Sequence, residues 1–181
     1  MYQNSVSSQK ISLRIYDTSH LKAAARFKTL KPFLQAYLKA SEDFIWGKTR
    51  DSLKFPTSNH SWQLSLTLCG DQRMRTLNRN YRQKDKTTDV LSFQYFDSRQ
   101  ELRDSSKLPE LHLGDLFISL NMAAKQARSF DLSLNEELLH LVVHGFLHLL
   151  DFDHDRGEKE RIEMEQKELW LINRARFYLK R

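Results

Sequence analysis

The sequence predicts an α/β (α+β) fold, a single domain with a small mixed four-stranded sheet covered by helices and a cleft built on a C-terminal helix. Three observations predict it. Four stretches read as strands, two of them alternating apolar and polar residues with period two, helices separate strands along the chain, and the last third of the 181 residues reads as helical. No Gly- or Pro-rich linker divides the chain, and its length suits one core of ordinary size.

The elements follow in order. Residues 1–9 are polar and are expected to be a flexible N-terminus, leaving 10–181 as the single domain. Ile11, Leu13 and Ile15 alternate with Ser12, Arg14 and Tyr16, a strand. A helical region over 20–45 follows, restarted near Pro32, because proline suits a first helical turn. Trp62, Leu64, Leu66 and Leu68 mark a second strand, and Asp71 is placed as the N-cap of a helix reaching Tyr81. A third strand is expected over 89–96 and a fourth over 111–120, with 97–111 between them as an irregular surface loop. A helix over 121–130 follows. Ser133 and Glu136 then make a Ser-x-x-Glu capping box that opens an apolar helix, and 157–178 is a charged amphipathic helix.

Composition narrows the classes. One cysteine, Cys69, allows no internal disulfide and gives no sign of an oxidising compartment. The longest apolar stretch, 138–150, is too short to cross a bilayer, and the first residues lack the order of a signal peptide, so no membrane role and a cytoplasmic location are expected. The formal charge of +6 favours a polyanionic partner. That charge concentrates in residues 71–86, where six basic side chains face two acidic ones with Asn78, Asn80 and Tyr81 interleaved, a mixture suited to phosphate contact and base stacking. Arg79, Lys84 and Lys86 of this segment are candidate nucleic-acid contacts.

The chemistry concentrates in HGFLHLLDFDHD, residues 144–155. His144 and His148 are four apart, which on a helix stacks two imidazoles on one face within reach of one ion. His154 lies beyond the expected helix end, so the chain must turn to return it as a third ligand. Three neutral imidazoles leave one coordination position open, as catalytic zinc sites do. His140, one turn earlier, is assigned to packing. The ligand spacing equals that of the metzincin peptidases, but Gly145 stands where their general-base Glu would be, and Asp151 stands where they have the glycine that ends the helix.

With these residues in view, the chain resembles the YbeY endoribonucleases, also described as rRNA maturation factors. Their pattern H-G-x-L-H-L-x-G-Y-D-H is met by HGFLHLLDFDH, with Asp151 for Gly and Phe152 for Tyr. A second pattern, L-N-x-x-Y-R-x-K-D-x-x-T-D-V-L-S-F, is met by residues 77–93, and a Gly-Asp pair opening a strand by Gly114 and Asp115. The resemblance implies a metal-dependent endoribonuclease acting on single-stranded RNA, in 16S rRNA 3′-end maturation and ribosome quality control. It implies one Zn2+ or other divalent ion on His144, His148 and His154, and maps the functional arginine onto Arg82. No general base stands out, and both a metal-activated water and the RNA 2′-hydroxyl remain open as nucleophile.

Two other classes stay in view. A hydrolase of another substrate, peptidase-like, accounts for the histidines but lacks the Glu. A non-catalytic ribosome-assembly factor accounts for the charge but leaves the open coordination position without a use.

Overall fold

The structure is a computed structural model that describes residues 1–18, 23–50, 52–55, 61–106 and 108–181. A five-stranded mixed sheet organises it, in the order β1-β2-β3-β5-β4. The strands are β1 (Tyr2–Ser7), β2 (Ile11–Asp17), β3 (Ser61–Cys69), β4 (Val90–Gln94) and β5 (Glu110–Ser119). The β1/β2 and β4/β5 pairs are antiparallel, and β2/β3 and β3/β5 are parallel. The helices are α1 (Ala23–Trp46), α2 (Asp71–Arg82), α3 (Arg99–Ser105), α4 (Leu120–Ser129), α5 (Leu134–Leu149) and α6 (Glu158–Leu179).

Alternation decides which side of the sheet becomes core. Ile11, Leu13 and Ile15 of β2, Trp62, Leu64, Leu66 and Leu68 of β3, and Leu111, Leu116 and Ile118 of β5 are all buried beneath α1 and α5. The last helix, α6, packs on α1 and α5 as an outer layer. Among the described residues the opposite face is covered at one end, where α2 sets Met74 against Cys69 and Leu91. Among the described residues no helix is long and apolar enough to cross a membrane.

Four expectations need correction. The sheet has five strands, not four, because residues 2–7 of the expected flexible N-terminus pair with β2 as an edge strand. Only Val6 of β1 is buried, so the backbone ladder holds the strand and the sequence shows little apolar alternation. The segment 97–111 contains α3, whose N-cap Ser98 accepts a hydrogen bond from the Glu101 N–H while Glu101 accepts one from the Asp97 N–H. Leu102 anchors this helix to the core. Pro32 lies inside α1 without ending it; its side chain is exposed, and on the solvent side a helix tolerates a lost hydrogen bond. Residues 20–22 of the expected first helix lie outside the described residues. The N-cap of α2 is Gly70, so Asp71 sits one position inside the helix, where its carboxylate accepts hydrogen bonds from Ser119 and Asn121.

Candidate metal centre

The helix α5 starts where the capping box places it. The Ser133 side chain accepts from the Glu136 N–H, and Glu136 accepts from the Ser133 N–H. From there the helix runs over β4 and β5 and presents His144 and His148 to a cleft of about 780 Å³ beside the edge strand β4. Their Nε2 atoms stand 3.2 Å apart. Two nitrogens on a tetrahedral ion with bonds of about 2.0–2.1 Å are separated by about 3.3 Å, so the pair is spaced as for a shared cation. His154 completes the group: one ring nitrogen from each of the three imidazoles lies within 4.8 Å of the others.

The return of His154 depends on the turn after α5. Asp151 takes φ +64°, the left-handed conformation expected at the helix end. The N–H groups of Asp151 and Phe152 then close back on the carbonyls of His148 and Leu147, and Phe152 is buried. The Asp151 carboxylate accepts hydrogen bonds from the Arg99 N–H at 3.0 Å and from Arg156. Burial alone would raise its pKa, but the Arg156 hydrogen bond, the Arg99 N–H and both guanidinium charges hold it below the usual carboxylate range.

These contacts set the outcome for Asp151→Gly. Relief of the positive-φ strain, about 1 kcal/mol, is offset by the lost carboxylate contacts, so the midpoint of thermal unfolding is expected to change little. Metal affinity is expected to hold, because the carboxylate bonds to Arg99 and Arg156 and not to a histidine. A 10- to 100-fold loss in a metal titration would instead make Asp151 a histidine-orienting residue.

One residue that sequence reading missed fixes the protonation of the site. Glu168 of α6 lies 2.6 Å from His144 Nδ1. A carboxylate accepts, so the ring proton sits on Nδ1 and Nε2 keeps its lone pair for a metal. A signal for it exists: Met164, Leu171 and Ala175 are the buried residues of α6, and Glu168 falls on the same stripe by helical spacing. A lone carboxylate in an apolar row needs a partner.

The electrostatics favour neutral imidazole at His148. Burial first, then the neighbouring His144 and His154 rings and the Arg82 guanidinium, push its pKa down to about 4 against the opposing pull of Asp153. The lone pair is therefore available across the neutral range. Since the folded value lies below the unfolded 6.5, the stability linked to neutral His148 is fully present above about 6.5 and is lost as pH falls toward 4. In metal-free protein the His148 ring resonances are expected to titrate near pH 4; a midpoint near 6.5 would show that the ring is open to water.

Arg82 and Lys84 line the same cleft, whereas Arg79 and Lys86 are exposed outside its lining. The fold aims the first two. Gln83 adopts φ +57° at the end of α2, and the N–H groups of Gln83 and Lys84 bond to the carbonyls of Arg79 and Asn78. Buried Asn78 donates its side-chain N–H to the Lys86 carbonyl at 2.8 Å, and Arg75 forks onto Asp85 at 2.8 and 2.7 Å. Arg75 thus braces the loop and is engaged by a carboxylate, which the plain count of basic residues did not reveal. Asp115 of the Gly-Asp pair accepts from the Tyr95 hydroxyl on the other face of the sheet, away from the imidazoles. His140 is half exposed and faces Glu137 at 3.7 Å.

Gly145 has a packing reason. A Cβ there would come within 2.8 Å of Leu116 Cδ2 and 3.3 Å of Ser92 Oγ. The Leu116 and Ser92 side chains crowd the position where a metallopeptidase carries its base.

Fold and site together define a small α/β protein with three converging histidines, one of them held by a carboxylate, in a cleft with basic residues on its rim. Residues 35–176 match the family model described as Endoribonuclease YbeY, and the chain belongs to that family. It is 44% identical over 115 residues to the Endoribonuclease YbeY of Leptospira interrogans, covering 59% of this chain and 82% of that protein. It is 40% identical over 119 residues to the Persephonella marina protein of the same name, covering 66% and 74%. The solution structure of a Thermotoga maritima protein shares the fold, with a TM-score of 0.51, 22% identity, and coverage of 89% and 88%.

Proposed function

We propose that this chain is a metal-dependent endoribonuclease that cuts single-stranded RNA, with ribosomal RNA as its target and the 16S 3′ end as its place of action. The observation that carries the reading is the shared cleft: three converging imidazoles and the cations Arg82 and Lys84 line one opening. Family membership supports the choice of RNA, since the matched relatives are named endoribonucleases. The domain expected over residues 10–181, with β1 added to its sheet, acts as one catalytic unit in this reading, working in the cytoplasm on the ribosome.

The site residues divide the work. His144, His148 and His154 would hold one divalent cation, Zn2+ by the chemistry of an all-imidazole set, and Glu168 keeps the His144 proton on Nδ1. Bound there, the cation supplies Lewis-acid polarisation of a phosphate oxygen. Arg82 offers its planar fork to the non-bridging oxygens on which negative charge builds during cleavage. Lys84 holds a neighbouring phosphate as a point charge, and Arg79 and Lys86 extend the basic track. A peptidase reading lacks its glutamate at Gly145, a position that Leu116 and Ser92 crowd, and a purely structural metal leaves the open cleft unexplained.

The test is cleavage of a single-stranded oligoribonucleotide by the metal-loaded protein. EDTA and His148→Ala serve as controls, and a denatured protein substrate is run in parallel. RNA cleavage lost in both controls supports the reading. Intact RNA with cut protein overturns it.

A further inference from the structure

The face of the sheet opposite α5 carries a row of rings: Phe93 and Phe117 pack against the small Cys69, Met74 and Leu91 cluster, while Tyr81 and Tyr95 stand outside both the core and the metal centre. Tyr81, next to Arg82 at the end of α2, stands edge-on to Phe93 of β4, with centroids 5.0 Å apart. Phe93 meets Phe117 of β5 in the same way at 5.6 Å, and the Arg73 guanidinium lies over Phe117. Beside this row Tyr95 stacks on His112 at 5.4 Å, its hydroxyl bonded to Asp115 at 2.7 Å. Tyr81 is 67% exposed and Tyr95 54%. Each is held on one side by a ring or carboxylate and open to solvent on the other.

The edge strand joins this row to the cleft. Ser92 and Gln94 of β4 line the cleft, and Phe93 between them points to the other face, as strand alternation requires. Tyr95 follows in the same ladder, its N–H bonded to the Leu113 carbonyl. At the end of α2 the neighbours Tyr81 and Arg82 divide in the same way, ring to the row and guanidinium to the cleft. A chain leaving the cleft over β4 meets the rings next.

We propose that Tyr81, Phe93 and Tyr95 form a stacking platform for bases of single-stranded RNA that extend beyond the cleft, with Arg73 at its far end for phosphate. The platform rests on the ribonuclease reading of the cleft and adds a second subsite to it. Open aromatic faces beside guanidinium groups suit a flexible polyanion with planar bases, and such stacking accepts any base. A protein partner would be expected to need an apolar surface, whereas Arg14, Gln63 and Ser65 fill the adjoining part of this face.

The experiment measures affinity by fluorescence anisotropy for a 2′-O-methylated oligouridine long enough to reach from cleft to platform, alongside cleavage of the unmodified oligonucleotide. Tyr81→Ala and Tyr95→Ala are each expected to weaken binding about 5- to 100-fold, while Tyr81→Phe keeps the affinity because the ring remains. Thermal unfolding of Tyr81→Ala is expected to match the wild type, since the ring is exposed. Equal affinities across the panel, with wild-type cleavage intact, overturn the platform alone and leave the face to a protein surface. No binding and no cleavage by the wild type overturn the platform together with the reading beneath it.

Discussion

Replacing any one of His144, His148 and His154 by Ala is expected to lower the affinity for a divalent metal by more than about 100-fold, beyond the 10- to 100-fold effect of losing an outer partner. The expectation follows from the convergence of the three rings, since an ion left with two imidazoles loses a third of its protein ligands. Glu168→Gln provides the graded comparison. It leaves all three rings in place but weakens the partner that fixes the His144 proton, so a loss of about 10- to 100-fold is expected. Elemental analysis is expected to give about one metal per wild-type chain. Full occupancy in the double variant His144→Ala, His148→Ala would rule the site out.

Arg82→Lys is expected to retain RNA binding while losing about 10²- to 10³-fold in cleavage rate at saturating RNA, the usual effect of removing one donor to developing negative charge. Lysine keeps the positive charge but not the planar pair of donors that match two phosphate oxygens. Arg82 is exposed at the end of α2, so the exchange leaves the core untouched. Single-turnover cleavage separates the roles: an unchanged rate with weaker binding would make Arg82 a docking residue, and an unchanged rate and affinity would remove it from the site.

The central strands were legible because burial on one face writes period two into the sequence, as in Ile11, Leu13 and Ile15 or Trp62, Leu64 and Leu66. The strand β1 was not, because an edge strand is held by backbone hydrogen bonds and needs few apolar side chains. The histidine pair was legible because i, i+4 spacing fixes geometry within one helix, and the capping box fixed where that helix begins. The partners that complete the site come from distant parts of the chain. Glu168 is 24 residues beyond His144, and Arg99 reaches Asp151 across 52. Only folding brings such pairs together, although the apolar row around Glu168 and the Ser-x-x-Glu at Ser98 and Glu101 were local signals open to notice.

The packing at Gly145 limits how this scaffold can be redesigned. Three imidazoles in this arrangement invite conversion to a peptidase by adding the missing glutamate next to the first histidine. That single exchange would press a side chain against Leu116 and Ser92, so the Leu116 side chain would have to shift to admit it. The opposite wall offers a shorter route. Gln94 already borders the cleft from an edge strand and is exposed, so a carboxylate placed there would add to the cleft wall without entering the core. The ligand set therefore has no carboxylate beside its first histidine on the helix, while the cleft wall already carries Asp89, Asp153 and Asp155 from outside that helix.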